Sequence, residues 1–138
     1  MTQRKEYRDD PLTYSIIGCA IAVHKKLGPG LVESVYDDCF NAELKSGGFA
    51  IRRQPRVNVG YDGTVLDRTF RPDYVINNEV VVEIKSVAQI LPVHQAQLLT
   101  YMKLAEIERG LIINFNVAVL ASGVKRLILS PPRSSAFA

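Results

Sequence analysis

Asp73, Glu83 and Lys85 fall inside RPDYVINNEVVVEIKSV, residues 71–87, the most strand-like stretch of the chain. Two carboxylates and an amine can share a proton, hold a divalent cation, or steady charge developing on a phosphoryl oxygen. Whether these three can act together depends on strand register. With Asn77-Asn78 as a two-residue turn, Ile76 pairs with Glu79 and the two acids point to opposite faces. A three-residue loop over 77–79 pairs Ile76 with Val80 and sets Asp73 opposite Glu83. Only that register leaves Tyr74, Ile76, Val80, Val82 and Ile84 as one wholly apolar face, and burial of one face is what selects register. The acids then lie within the ~5 Å of cross-strand neighbours. Lys85 follows on the same face, about 6–7 Å along the strand.

Adjacent carboxylates repel, so one must be protonated or a cation must sit between them. Hard oxygen ligands suit Mg²⁺ or Mn²⁺, which keep water and bind phosphate oxygens. Lys85 beside them can stabilise an attacking hydroxide or transition-state charge. The same set reads equally as an internal ion pair in which Lys85 neutralises one acid. Glu33 shares a helical stripe with Tyr36, Phe40 and Leu44, where a carboxylate needs a partner or a metal. An acid in a first helical turn is also favoured by the helix dipole alone. Gln97 and Tyr101, four apart, share a helix face; they can orient a phosphate or a water, or stand as ordinary half-exposed residues. His24 and His94 are isolated and take neither a catalytic nor a metal role.

Several elements must position these side chains. Asp10-Pro11 can cap and open a first helix, with Ile16, Ala20, Val23 and Leu27 at helical spacing. Gly28-Pro29-Gly30 ends it. A second helix is expected from about Leu31 to Ser46, closed by Gly47-Gly48. Strands are expected at about 51–60 and 64–70 around Asp62-Gly63, then at 72–77 and 79–86. A third helix runs from Pro92 toward Gly110, and LIINFNVAVL and VKRLILS supply two final strands. The order predicts an α/β or α+β fold with a mixed sheet.

At 138 residues the chain reads as one domain over 11–130, with flexible ends at 1–10 and 131–138. A net charge of +3 permits a polyanionic partner without demanding one. Cys19 and Cys39 have no CxxC spacing and no nearby histidine, so they read as reduced structural thiols of a cytoplasmic protein. No stretch is apolar enough to span a membrane, and the first residues lack a signal-peptide core.

Arg71-Pro72-Asp73 followed by Glu83-Ile84-Lys85 resembles the PD-(D/E)XK signature of restriction-endonuclease-like nucleases. Gln97-Leu98-Leu99-Thr100-Tyr101 is similar to the QxxxY motif of the RecB-like branch. Gly30-Leu31-Val32-Glu33-Ser34-Val35-Tyr36 resembles the motif that names the GxxExxY family, a PD-(D/E)XK-like group. The four motifs stand in order across about residues 12–130. The resemblance implies a restriction-endonuclease-like core, a mixed central sheet flanked by helices, with a Mg²⁺- or Mn²⁺-dependent nuclease activity on DNA or RNA. It implies Asp73, Glu83 and the Ile84 carbonyl as metal ligands, and Glu33 as the acid that completes the metal site or positions its water. Lys85 would polarise the attacking water, with Gln97 and Tyr101 in support. Lys25, Lys26, Arg52, Arg53, Arg56, Arg68 and Arg71 are candidates for phosphate contacts, although each alone reads as a solvated charge. A non-catalytic module that binds nucleic acid or protein is the alternative, and either reading allows a homo-oligomer or a partner subunit.

Overall fold

The central hairpin forms in the three-residue register. In the computed structural model, which describes residues 10–129, Ile76 pairs with Val80 and Tyr74 with Val82. Asn77 and Asn78 turn the chain with φ of 54° each, a left-handed conformation that asparagine tolerates better than most residues. The expected flexible ends lie almost wholly outside the described residues.

The described elements are α1 (Pro11–Leu27), α2 (Glu33–Ser46), β1 (Ile51–Arg53), β2 (Val57–Tyr61), β3 (Thr64–Phe70), β4 (Tyr74–Ile76), β5 (Val80–Lys85), α3 (Pro92–Ala105), β6 (Arg109–Asn114) and β7 (Val124–Ile128), with a 3₁₀ turn at Leu120–Gly123 before β7. Five strands make one sheet in the order β1-β4-β5-β6-β7. β5 and β6 are parallel and the other pairs antiparallel, so the sheet is mixed. α3 is the crossover that the parallel pair requires.

Both sheet faces are covered, which is why β5 reads as a nearly continuous apolar run. Tyr74, Ile76, Val80, Val82 and Ile84 join Ile16, Ala20, Tyr36, Phe40 and Leu44 of α1 and α2 in the larger core. Val75 and Val81, on the opposite face, pack with Ile112 and with Leu98 and Met102 of α3. Gly110 permits that approach, because a Cβ there would stand 2.5 Å from Met102 Sδ.

Four expected boundaries differ. The strand predicted over 51–60 is two strands in two sheets. Gln54 adopts φ 49° and Pro55 has no N–H to continue a ladder, so β2 leaves the central sheet and pairs only with β3. α2 begins at Glu33 rather than Leu31, because residues 28–32 form a loop pinned by Tyr36. α3 ends at Ala105 instead of Gly110: Glu106 takes the left-handed cap conformation, and β6 starts at Arg109. The strand expected over 111–120 stops at Asn114, whose side chain takes bonds from Val87 N and Asn116 N and donates to Val87 O.

Candidate active site

Asp73 and Glu83 meet where β4 begins and β5 approaches its end. The Asp73 N–H donates to Glu83 Oε1 at 2.9 Å, and the Ile84 N–H donates to Asp73 Oδ2 at 2.7 Å. Each acid is thus fixed by a backbone group of the opposite strand. This crossed pair extends the predicted register by one residue and places both carboxylates on the α3 side of the sheet.

Burial governs their protonation. Glu83 is 8% exposed, and desolvation together with the Asp73 charge pushes its carboxyl up to about 8. Asp73 is also raised, by burial first and then by the Asp37 charge, against the opposing Ile84 hydrogen bond. In the absence of a cation, the pair therefore holds a proton near neutrality.

Lys85 follows on β5, half-buried. Among the described residues it makes no ion pair: the ion pairs join Lys26, Arg53, Arg109 and Arg126 to other acids. Its charge favours ionisation of Asp73, Glu83 and Glu33 without a direct contact. That arrangement differs from the closed ion pair that the sequence left open.

Glu33 occupies the first turn of α2. It is exposed rather than sunk in the apolar stripe. Partial desolvation and then the Asp73 charge still raise its carboxyl, with Lys85 opposing them, so it shares their electrostatic field. Among the described residues, no group of three or more Asp, Glu, His or Cys side chains is gathered to hold a metal. Glu33 is an electrostatic neighbour of the Asp73–Glu83 pair. The Asp73 and Glu83 carboxyls interact with one another and, with the Ile84 carbonyl, are oxygen donors of the hard kind. They fit Mg²⁺ or Mn²⁺, which are held by one or two carboxylates with water completing the shell.

On α3, Gln97 Nε2 donates to Tyr101 Oη at 2.7 Å. The Tyr101 ring stacks on Phe70 at the end of β3, with centroids 4.9 Å apart. Burial and then the Glu83 charge raise the Tyr101 phenol, so the phenol feels the field of the acids.

Two tyrosines and an aspartate were not singled out for these roles from sequence. Tyr36 is fully buried; its hydroxyl donates to Gly28 O and accepts from Leu31 N at 3.1 Å. It clasps the Gly28–Leu31 loop, where Gly30 holds φ 97°. Ser86 Oγ donates to Leu31 O at 2.6 Å and ties that loop to the end of β5. The spacing of Gly30, Glu33 and Tyr36 thus describes a loop, a first-turn acid and a pin one turn on. Asp37, one turn after Glu33, accepts from the Tyr74 hydroxyl and faces Arg53 at 3.2 Å. Its only sequence signal is the i+4 offset from Glu33.

The basic candidates divide. Arg53 is taken up by Asp37 and Asp38, the latter at 2.6 Å, and Lys26 reaches Glu43 at 3.4 Å. Lys25 is exposed in the last turn of α1. Arg52, Arg56, Arg68 and Arg71 are exposed along β1, the β2–β3 hairpin and the approach to Asp73. His24 bonds Val117 O and His94 accepts from Leu91 N, which accounts for both histidines structurally. Cys19 and Cys39 are free thiols.

A mixed sheet flanked by helices, with an Asp on one strand and Glu-x-Lys on the next, defines the restriction-endonuclease-like class. A sequence profile of the PD-(D/E)XK nuclease superfamily matches residues 10–127, and the chain belongs to that superfamily. No curated protein and no solved structure matches it. Among the described residues no helix is long and apolar enough to cross a membrane.

Proposed function

We propose that this protein is a Mg²⁺- or Mn²⁺-dependent nuclease of the GxxExxY group, hydrolysing phosphodiester bonds of DNA or RNA. The observation that carries the reading is the Asp73–Glu83 pair. Each acid is pinned by the other strand's backbone, both are raised by burial, and a lysine stands near without neutralising either. A structural ion pair closes to contact, whereas Lys85 makes no ion pair among the described residues.

A divalent ion held by Asp73, Glu83 and the Ile84 carbonyl would supply Lewis acidity toward a phosphoryl oxygen and make a water more acidic. The protein supplies the rest. Lys85 directs an ammonium toward the reacting phosphate, where negative charge grows in the transition state. Glu33 accepts a hydrogen bond from the attacking water and so orients it. Gln97 and Tyr101, braced against Phe70, offer polar groups on the α3 side. The water oxygen forms the new bond to phosphorus and gives up a proton to solvent, the ester P–O bond breaks, and the leaving oxygen takes a proton from solvent. Arg52, Arg56, Arg68 and Arg71 give the phosphate chain a basic approach.

Labelled single- and double-stranded DNA and RNA, incubated with Mg²⁺, Mn²⁺ or chelator, test the reading. Cleavage that requires metal and disappears in Glu83→Ala is the expected result. Reproducible binding without cleavage across metals and substrates would instead identify a binding module.

A further inference from the structure

α2 carries Glu33 in its first turn, yet that turn has no side-chain cap: Val32 stands at the N-cap, where only its carbonyl takes part, accepting from Val35 N. Tyr36 ties that turn to the preceding loop, and a second contact ties it to the strands. Four residues after Glu33, Asp37 reaches two strands at once. The Tyr74 hydroxyl of β4 donates to Asp37, with Oδ1 and the main-chain oxygen both within reach. Arg53 of β1, the register partner of Tyr74, brings its guanidinium to 3.2 Å from Asp37 Oδ2. The same guanidinium lies 5.9 Å from the centre of the Tyr74 ring. Tyr74 is wholly buried and cannot turn away. It is also the residue bonded to Asp73.

We propose that Asp37 is a positioning residue, which fixes the Glu33 carboxylate relative to Asp73 by locking α2 to β4 and β1. The proposal rests on the nuclease reading above and adds a residue to it. The path is short and stiff at each step. Glu33 and Asp37 are one helical turn apart on one face, Asp37 is bonded to Tyr74, and Tyr74 is the chain neighbour of Asp73. Two acids from separate elements are thereby held in one frame. A loosened α2 would let Glu33 drift while Asp73 and Glu83 kept their crossed backbone bonds. Substrate binding would persist and the chemical step would suffer.

A mutant cycle on the full chain tests this. Asp37→Ala is expected to lower kcat by roughly ten- to a hundredfold, the scale of a misplaced catalytic group, with KM for nucleic acid unchanged. Asp37→Asn, which keeps an acceptor for Tyr74, should recover most of the loss. The double variant Glu33→Gln/Asp37→Ala should be no slower than Glu33→Gln/Asp37→Asn, because both lack the Asp37 charge that acts on Asp73 and differ only in the acceptor offered to Tyr74. A readout independent of activity is hydrogen exchange in the metal-free protein. Amides 37–40, whose helical bonds close the first turn, should exchange faster in Asp37→Ala while β5 and β6 stay protected. A Glu33→Gln/Asp37→Ala protein slower than its Asp37→Asn counterpart, or exchange that rises evenly through the core, overturns the proposal. If Asp37→Ala does not fold, Tyr74→Phe takes its place in the same cycle with the same outcomes. Wild-type protein that shows no metal-dependent cleavage overturns the nuclease reading and this role together; cleavage with that slower double variant overturns this role alone.

Discussion

Lys85 separates a catalytic site from a buried ion pair at the scale of a single residue. It stands in the field of three acids and pairs with none of them among the described residues. Lys85→Ala should therefore leave stability within about 1 kcal/mol of wild type while slowing cleavage by about a hundredfold. An ion-pair role predicts the reverse, with a loss of roughly 3–5 kcal/mol and unchanged turnover of the folded fraction. Urea denaturation and single-turnover cleavage of the one variant decide it. Proton linkage supplies a second test. Glu83 rises from an ordinary value of 4.5 to about 8 in the fold. Between those values the folded state holds a proton that the unfolded chain has released, so metal-free stability should fall as pH rises through that window. Glu83→Gln should remove most of that slope. A metal held by the pair would displace the proton, so the melting-temperature gain from Mg²⁺ or Mn²⁺ should grow from pH 6 to 8. At a hundred times its dissociation constant the ion adds roughly 2.7 kcal/mol. A flat metal-free profile, or an equal metal gain in Asp73→Asn, counts against a metal site.

The elements decide where these residues stand. α2 can begin at Glu33 because Tyr36 and Ser86 bind the loop before it. β5 can end at Lys85 because Asn114 and Asn116 of the neighbouring chain segment hold Val87. Gly123 is part of that second support. A Cβ at Gly123 would stand 2.1 Å from Asn114 O, a main-chain atom with no freedom to swing aside. Gly123→Ala should cost about 1–3 kcal/mol, as overpacking does. It should also loosen residues 86–90, read as faster amide exchange there than in β4. Unchanged exchange at Val87 would separate the glycine from the site. The strand and helix types were legible from period and turn residues, but the ends were not. The Leu31 and Gly110 boundaries follow glycine and proline punctuation, whereas the observed ends answer to hydroxyls, side-chain amides and a left-handed Glu106.

Across the whole molecule, Asp10 joins what the chain order keeps apart. It caps α1 through Thr13, and it accepts from Arg109 of β6 at 2.6 Å and from Arg126 of β7 at 3.1 Å. Burial opposes its ionisation, but the bonds from Thr13 and Arg109 outweigh that and hold its carboxyl below the ordinary 3.8. A lowered value means stability that is present above about pH 4 and is lost as pH falls through the native value. Asp10→Asn should remove that acid-side slope. It should also cost about 3 kcal/mol at neutral pH, the low end for a broken buried pair. Acid titration of both proteins checks the sign, and parallel curves below pH 4 would contradict it. This window lies below that of Glu83, so the two effects separate on one pH series.

Alternation alone determined which face of residues 73–85 is apolar, and hence that Asp73 and Glu83 meet. Strand period is a local property, and it favours the register that leaves one face wholly apolar, even though the other face also lies under α3 and buries Glu83. The four motifs in order carried the superfamily for the same reason, since each is a short contiguous run. What only the tertiary structure decided is the company these residues keep. Arg53 and Arg68 look alike in sequence, yet one is clamped by Asp37 and Asp38 and the other lies exposed on the β2–β3 hairpin. Lys85 could have closed onto an acid or stood off, and Asp37 carried no signal beyond its spacing. Those outcomes depend on contacts between residues distant in sequence, where packing chooses each charge's partner and local pattern has nothing to say.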